Sequence, residues 1–366
     1  MKKLHLLVTA ALLLAIFLVP IYMYAAHTGD VQVLEMERRK TGPFPKWPDR
    51  LTSNRLAVYF TAVDRYISDH MPFRNFFIST IAETFESLNY EFAPMRGYKG
   101  KDGWLFLGNY LGNELSKLVF SRPLKEYQRR RLVASYRKIV ETANRYGTKV
   151  CLLIGPNKSS VYPEHLPPYF SPAENRYLDH IVAALGEIDG LLIYDPTERL
   201  RKIKTTDGLL YIRTDTHWNA LGGIRTFEGL LEFLHLPPLP PFHLEQTDPV
   251  RGDLIGLSGH YHFPVSGGDN FTLVWETPLE LTPPISQHAT FNTRTHTTNP
   301  NATTNLTAWT ATDSFVYMLK EGFFATFSEV THLSSWQRAL PKLPKLLEEA
   351  EQKPDYVFLV VVEKYF

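Results

Sequence analysis

The chain has 366 residues, 44% hydrophobic and 13% aromatic, which suffices for a large buried core and excludes a disordered chain. Lys and Arg number 39 against 38 Asp and Glu, a net charge of +1, so the basic footprint of a nucleic-acid binder is absent and nucleic acid is excluded as a partner. The single cysteine, Cys151, rules out a disulfide within the chain; set in the apolar run Lys149–Ile154, it reads as a buried hydrophobe and not as a nucleophile.

Met1-Lys2-Lys3 precedes an apolar stretch from about Leu6 to Ala26, roughly the length a helix needs to cross a bilayer. Met23 and Tyr24 stand where a signal peptidase prefers small residues, so residues 1–26 are expected to be an uncleaved signal-anchor with the lysines inside and the body exported. Residues 27–50 are polar and proline-bearing, a tether, and the body, 51–366, begins near Leu51. Helical spacing runs from 54 to 90, and Trp104-Leu105-Phe106-Leu107, set among Gly97, Gly100, Gly103 and Gly108, predicts a short strand with turns on both sides. Glu126–Tyr146 predicts an amphipathic helix stopped by Gly147.

From there strands and helices alternate: strand 149–154, helix 172–187, strand Leu191–Tyr194, a loop holding Asp215 and His217, and a helix from about Asn219. Alternation of this kind predicts an α/β fold with a parallel sheet covered by helices on both faces. Residues 236–307, rich in Pro, Gly, Thr and Asn, break the rhythm and are expected to form an inserted loop-rich segment. The pattern resumes at Ser314, with a helix near 336–351 and a terminal strand, Tyr356–Val362.

The chemistry is concentrated in Thr214-Asp215-Thr216-His217-Trp218-Asn219 and, much later, Ala311-Thr312-Asp313-Ser314-Phe315. A serine hydroxyl is a weak nucleophile at neutral pH; it needs an imidazole to take its proton and a carboxylate to fix that imidazole's tautomer. Asp and His two residues apart on a loop can point to one centre, which on a helix they would not. The competing reading makes Asp215 a helix cap, His217 a buried hydrogen-bonding residue and Ser314 an ordinary N-cap. His260-Tyr261-His262 with Asp253 and Asp269 lacks a recognisable ligand pattern, and no metal is expected.

Taken in order, Gly100-Lys101-Asp102-Gly103-Trp104-Leu105-Phe106, Pro156-Asn157-Lys158 with Val161-Tyr162-Pro163-Glu164, the Asp215/His217 segment, Gly252-Asp253-Leu254 and the Ser314 motif resemble the periplasmic alginate O-acetyltransferases of the AlgJ/AlgX type. The resemblance implies a three-layer SGNH-hydrolase-like fold with a circularly permuted order, Asp and His before Ser. It implies Ser314 as nucleophile, His217 as general base and Asp215 as its orienting acid, with Thr312 standing where such enzymes usually carry glycine. The implied activity is transfer of an acetyl group through a serine ester to a sugar hydroxyl of an exopolysaccharide, alginate-like or other. The alternatives are a periplasmic carbohydrate acetylesterase and a non-catalytic polysaccharide-binding protein. No cofactor is implied; the acetyl group would come from a multi-spanning membrane O-acyltransferase working with other exopolysaccharide-secretion proteins, on the periplasmic side of a bacterial inner membrane. Trp218, Asn157, Lys158 and Tyr162 are the expected substrate contacts.

Overall fold

The computed structural model describes residues 44–70, 74–88, 96–283 and 292–366. The expected anchor at 1–26 and most of the tether lie outside these residues; among the described residues no helix is long and apolar enough to cross a membrane. Contacts divide the chain into two compact units. The first contains the described residues up to 88 together with Gly252–Phe263. Its helices are Ser53–His70, Arg74–Ser87 and Asp253–Ser258.

The second unit, Met95–Arg251 with Pro264–Phe366, holds all ten strands of the described residues. Strands β1 (Gly97–Lys99) and β2 (Leu105–Leu107) pair antiparallel. Asp102 and Gly103 both take positive φ in the connecting turn, which is why glycine follows aspartate there. The main sheet uses β3 (Lys149–Gly155) and β4 (Leu191–Tyr194). A two-stranded ribbon, β5 (Phe242–Gln246) with β6 (Phe271–Trp275), stands apart, and β7 (Thr295–Thr298), β8 (Thr304–Thr312), β9 (Phe327–Ser335) and β10 (Tyr356–Val362) complete the sheet in the order β4-β3-β10-β8-β9-β7. Five of these six strands run parallel; β7 joins β9 antiparallel at the edge.

Alternation along the strands makes two cores. Tyr356, Phe358, Val360 and Val362 of β10 face the same side as Cys151 and Leu153, where Leu221, Phe227 and Leu230 of the helix Ala220–Leu234 cover them. Val357, Leu359 and Val361 face the other side with Val150, Leu152 and Ile154, against Tyr136, Ile139 and Val140 of the helix Glu126–Asn144. Every residue of β10 is buried, as expected of a central strand with both faces covered. At roughly 25 cal/mol per Å2 of apolar surface removed from water, these two interlocking faces are the main source of stability.

Two departures from the sequence expectation concern the later part of the chain. Residues 236–307 do form an irregular region containing the ribbon and β7, but its end already belongs to β8, a central strand, and β9 had no counterpart in the sequence reading. The helix expected at 336–351 is broken into Trp336–Ala339, a 3-10 turn at Leu340–Lys342 and Leu343–Glu349, because Pro341 and Pro344 interrupt it.

Candidate active site

The site lies at the carboxyl ends of the parallel strands, where open α/β sheets present ligand-binding groups. After β4 and the helix Thr197–Ile203, the loop is tied down before it reaches Asp215. Tyr211 and Trp218 form an isolated β-bridge, closing the segment between them into a loop. The buried Lys158 ammonium donates to the carbonyls of Ile212 (3.3 Å), Arg213 (2.8 Å) and Asp215 (2.7 Å). Asn219 caps the helix Ala220–Leu234, its Oδ1 accepting from Gly222 N–H, while its amide nitrogen donates to Leu209 and Asp269 carbonyls.

Asp215 then meets His217 twice: its Oδ1 accepts from the His217 backbone N–H (3.0 Å) and lies 2.6 Å from Nδ1. On the far side of the ring, Nε2 is 2.7 Å from Ser314 Oγ, across 97 residues of sequence. With Nδ1 protonated toward the carboxylate, Nε2 is an acceptor for the serine proton, the tautomer that general-base chemistry requires.

Ser314 opens a 3-10 helix, Ser314–Met318, just beyond β8. Asp313 builds this turn. Its Oδ1 accepts from Phe315 N–H (3.0 Å) and its Oδ2 from Val362 N–H (2.7 Å), joining the ends of β8 and β10. Burial pushes the Asp313 carboxyl above the usual aspartate range, while the two backbone bonds pull the other way. Phe315 packs 5.2 Å, centroid to centroid, from the His217 ring, and a Cβ on Gly155 would stand 2.6 Å from the Phe315 ring, so β3 must carry glycine there. A Cβ on Gly223 would lie 2.4 Å from the Met318 carbonyl, so this helix also needs a bare backbone where the serine turn crosses it.

The expected substrate contacts divide differently. Trp218 is 0% exposed and its indole N–H donates to the Phe315 carbonyl; it braces the serine turn and presents no face to a saccharide. Tyr162, 3% exposed, accepts at its hydroxyl from Leu210 N–H and stacks by Trp104, a support for the loop. Lys158 is the loop clamp described above. Asn157 gives its backbone N–H to Glu363. Aromatic and polar residues near a motif invite assignment as ligand contacts; their burial is set by distant parts of the chain and is not written locally. Asp313, by contrast, was adjacent to the serine in sequence, and only the position of Val362 reveals its part. Asp269 accepts from Arg213, and His260 Nδ1 pairs with Ser258 Oγ. Burial also raises the Cys151 thiol, which keeps it from the thiolate form.

A parallel sheet between two helical layers, with a serine after one strand and an acid-histidine pair after another, is an SGNH-hydrolase-like arrangement in permuted order. Residues 98–250 match the family described as SGNH hydrolase-like domain, acetyltransferase AlgX. The matched stretch contains Asp215 and His217 and stops before Ser314. The chain is similar to the probable alginate O-acetylase AlgJ of Pseudomonas aeruginosa, 32% identical over 123 residues, which are 34% of this chain and only 29% of that protein. It also aligns with the O-acetyltransferase domain of Pseudomonas putida AlgJ (18% identity, 74% of this chain and 91% of that one, TM-score 0.49). Pseudomonas aeruginosa AlgX aligns at 14% identity over 74% of this chain and 62% of that one, with a TM-score of 0.42.

Proposed function

We propose that this protein is an exopolysaccharide O-acetyltransferase acting through an acetyl ester of Ser314. The observation that carries the reading is the unbroken hydrogen-bond series Asp215–His217–Ser314, at 2.6 and 2.7 Å, within a chain whose 98–250 segment matches the AlgX acetyltransferase family. Ser314 Oγ attacks the acetyl carbonyl of a donor ester, its proton passes to His217 Nε2, and the leaving alkoxide takes that proton as the donor departs. Asp215 stabilises the imidazolium formed in between. His217 then takes the proton of a sugar hydroxyl, which attacks the acetyl-serine, and releases it to Ser314 as the acetylated sugar leaves. The N–H of Ser314, first in its 3-10 helix, is a donor for the oxyanion formed in each half.

The reading extends to context. The apolar segment 6–26 anchors the protein in a bacterial inner membrane with the enzyme on the periplasmic side, and a multi-spanning membrane O-acyltransferase supplies the acetyl group to Ser314 without a cofactor on this chain. Alginate is the acceptor class suggested by the name of the AlgJ relative.

The test incubates the full-length protein in detergent with an activated acetyl ester and alginate-type oligosaccharides, and follows protein and sugar by mass spectrometry. One acetyl on the wild type but not on Ser314→Ala, together with acetylated sugar, supports the transferase. Acetate release with unmodified sugar points instead to an esterase, and an unreactive wild type to a binding protein.

A further inference from the structure

A second feature at the same edge of the sheet is not used by the serine chemistry. Beyond the ends of β3 and β10, Asn157, Glu363, Glu114, Tyr177 and the prolines Pro163 and Pro172 help line a cavity of about 330 Å3. Asp215, His217 and Ser314 are not among its lining residues. Its size falls within the range of small-molecule sites.

The hydrogen-bond inventory indicates what it would hold. Its cations are engaged: Arg176 with Asp179 and Asp195, Arg201 with Glu198 and the Ser160 carbonyl, and Lys117 with the carbonyls of Lys364 and Phe366. An anion such as a uronate or phosphate would therefore meet no uncommitted positive group, and would meet the carboxyls of Glu114 and Glu363 instead. Glu363 accepts from Asn157 N–H and interacts with the Ser160 hydroxyl, and one oxygen of Glu114 accepts from Ser159 Oγ. Two groups remain open. The Asn157 side chain makes no cap bond, and its buried Oδ1 has no partner among the described residues. Glu114 has a second oxygen that the Ser159 bond does not use.

A buried amide oxygen without a partner is costly, and a half-turn of the amide lets Asn157 offer either a donor or an acceptor. Burial holds the Glu114 carboxyl up to about 7, so near neutral pH it too can donate or accept. Hydroxyl groups satisfy both. The ring of Tyr177 and the two prolines add apolar wall, suited to the C–H face of a ring that carries those hydroxyls.

We propose that this cavity is a binding site for a neutral, hydroxyl-rich ligand, a single uncharged sugar unit, held by the side chains of Asn157 and Glu114. The proposal goes beyond the acetyl-transfer reading given above: a neutral sugar is not a unit of a polyuronate such as alginate, so the cavity would take a different carbohydrate from that acceptor, and the proposal does not depend on acetyl transfer.

The experiment separates the two. Binding is measured on full-length Ser314→Ala protein in detergent, where no transfer can occur, by calorimetry and saturation-transfer NMR. The probes are glucose, mannose, galactose and N-acetylglucosamine, their neutral di- to tetrasaccharides, and glucuronate as the charged control. Expected is binding of at least one neutral sugar, preferred tenfold or more over glucuronate. Asn157→Ala or Glu114→Gln, each made in the Ser314→Ala background and each retaining its thermal melt, weakens that binding at least tenfold. The proposal is overturned if no neutral sugar binds at 10 mM-scale concentration (~10 mM, the weak end of useful affinity), if glucuronate binds as well, or if both folded variants bind as before. Failure here leaves acetylation of Ser314 untouched as the test of the transferase.

Discussion

The loop that carries Asp215 and the turn that carries Asp313 each place one aspartate beside one of the two groups proposed to transfer the proton, yet the two acids differ in what they hold. Asp215 faces an imidazole that changes charge in the proposed reaction; Asp313 faces two backbone N–H groups that never do. Adjacency to the serine in sequence therefore does not single out the acid proposed to act in catalysis. What marks it is whether its hydrogen-bond partner titrates.

That contrast can be broken most sharply by paired isosteric changes. Asp215→Asn should lower the rate of acetyl transfer by about 10^3- to 10^4-fold, because the amide favours the wrong histidine tautomer, with only a small shift in melting temperature. Asp313→Asn should chiefly cost stability, about 1–3 kcal/mol, since an amide cannot accept from both backbone donors. If the two variants lose turnover equally at unchanged melting temperature, the distinction fails. Next in size is Lys158→Met, which leaves the Ile212, Arg213 and Asp215 carbonyls without their shared donor. The expected result is a fall in kcat of roughly 10- to 100-fold with KM for the donor ester little changed, plus a loss of about 1–3 kcal/mol on denaturant unfolding.

A third comparison uses pH. Glu114, usually near 4.5, is raised to about 7 by burial. A carboxyl raised on folding favours the protonated native state, so its contribution is full below about 4.5 and is lost as pH rises through about 7. Glu363 and Asp313 are raised for the same reason and act in the same sense. Glu114→Gln should flatten the decline in stability across that window by up to about 3 kcal/mol, read from melts at a series of pH values. An unchanged pH slope would show that Glu114 is already ionised in the folded protein. The smallest effect is expected at Trp218→Phe, about 1 kcal/mol for the hydrogen bond to Phe315, with KM for an oligosaccharide acceptor unaltered. A large rise in that KM would return Trp218 to the substrate.

Legibility in the sequence followed burial. The apolar runs Tyr356–Val362 and Val150–Ile154 announced themselves as inner strands, and Asp215 with His217 formed a compact signal. Strand β8, Thr-Asn-Leu-Thr-Ala-Trp-Thr-Ala-Thr, is equally central but made largely of threonine, whose strand preference shows little in hydrophobicity. Strand β9 has the same character, with Ser, Thr and His among its residues, and pairs only through tertiary context. The buried states of Trp218, Tyr162 and Lys158, and the bond from Asp313 to Val362, depend on contacts across 48 to 97 residues, so no local pattern could carry them.

The position of β10 has a consequence for how the protein is made. It lies between β3 and β8 in the sheet, yet follows every other described strand in the chain. During synthesis, β3 and β4 emerge roughly two hundred residues before the partner that links them to the serine half, so the nascent chain cannot close its sheet early. The sheet that joins the Asp215/His217 loop to the Ser314 turn is therefore complete only once the last described strand is in place.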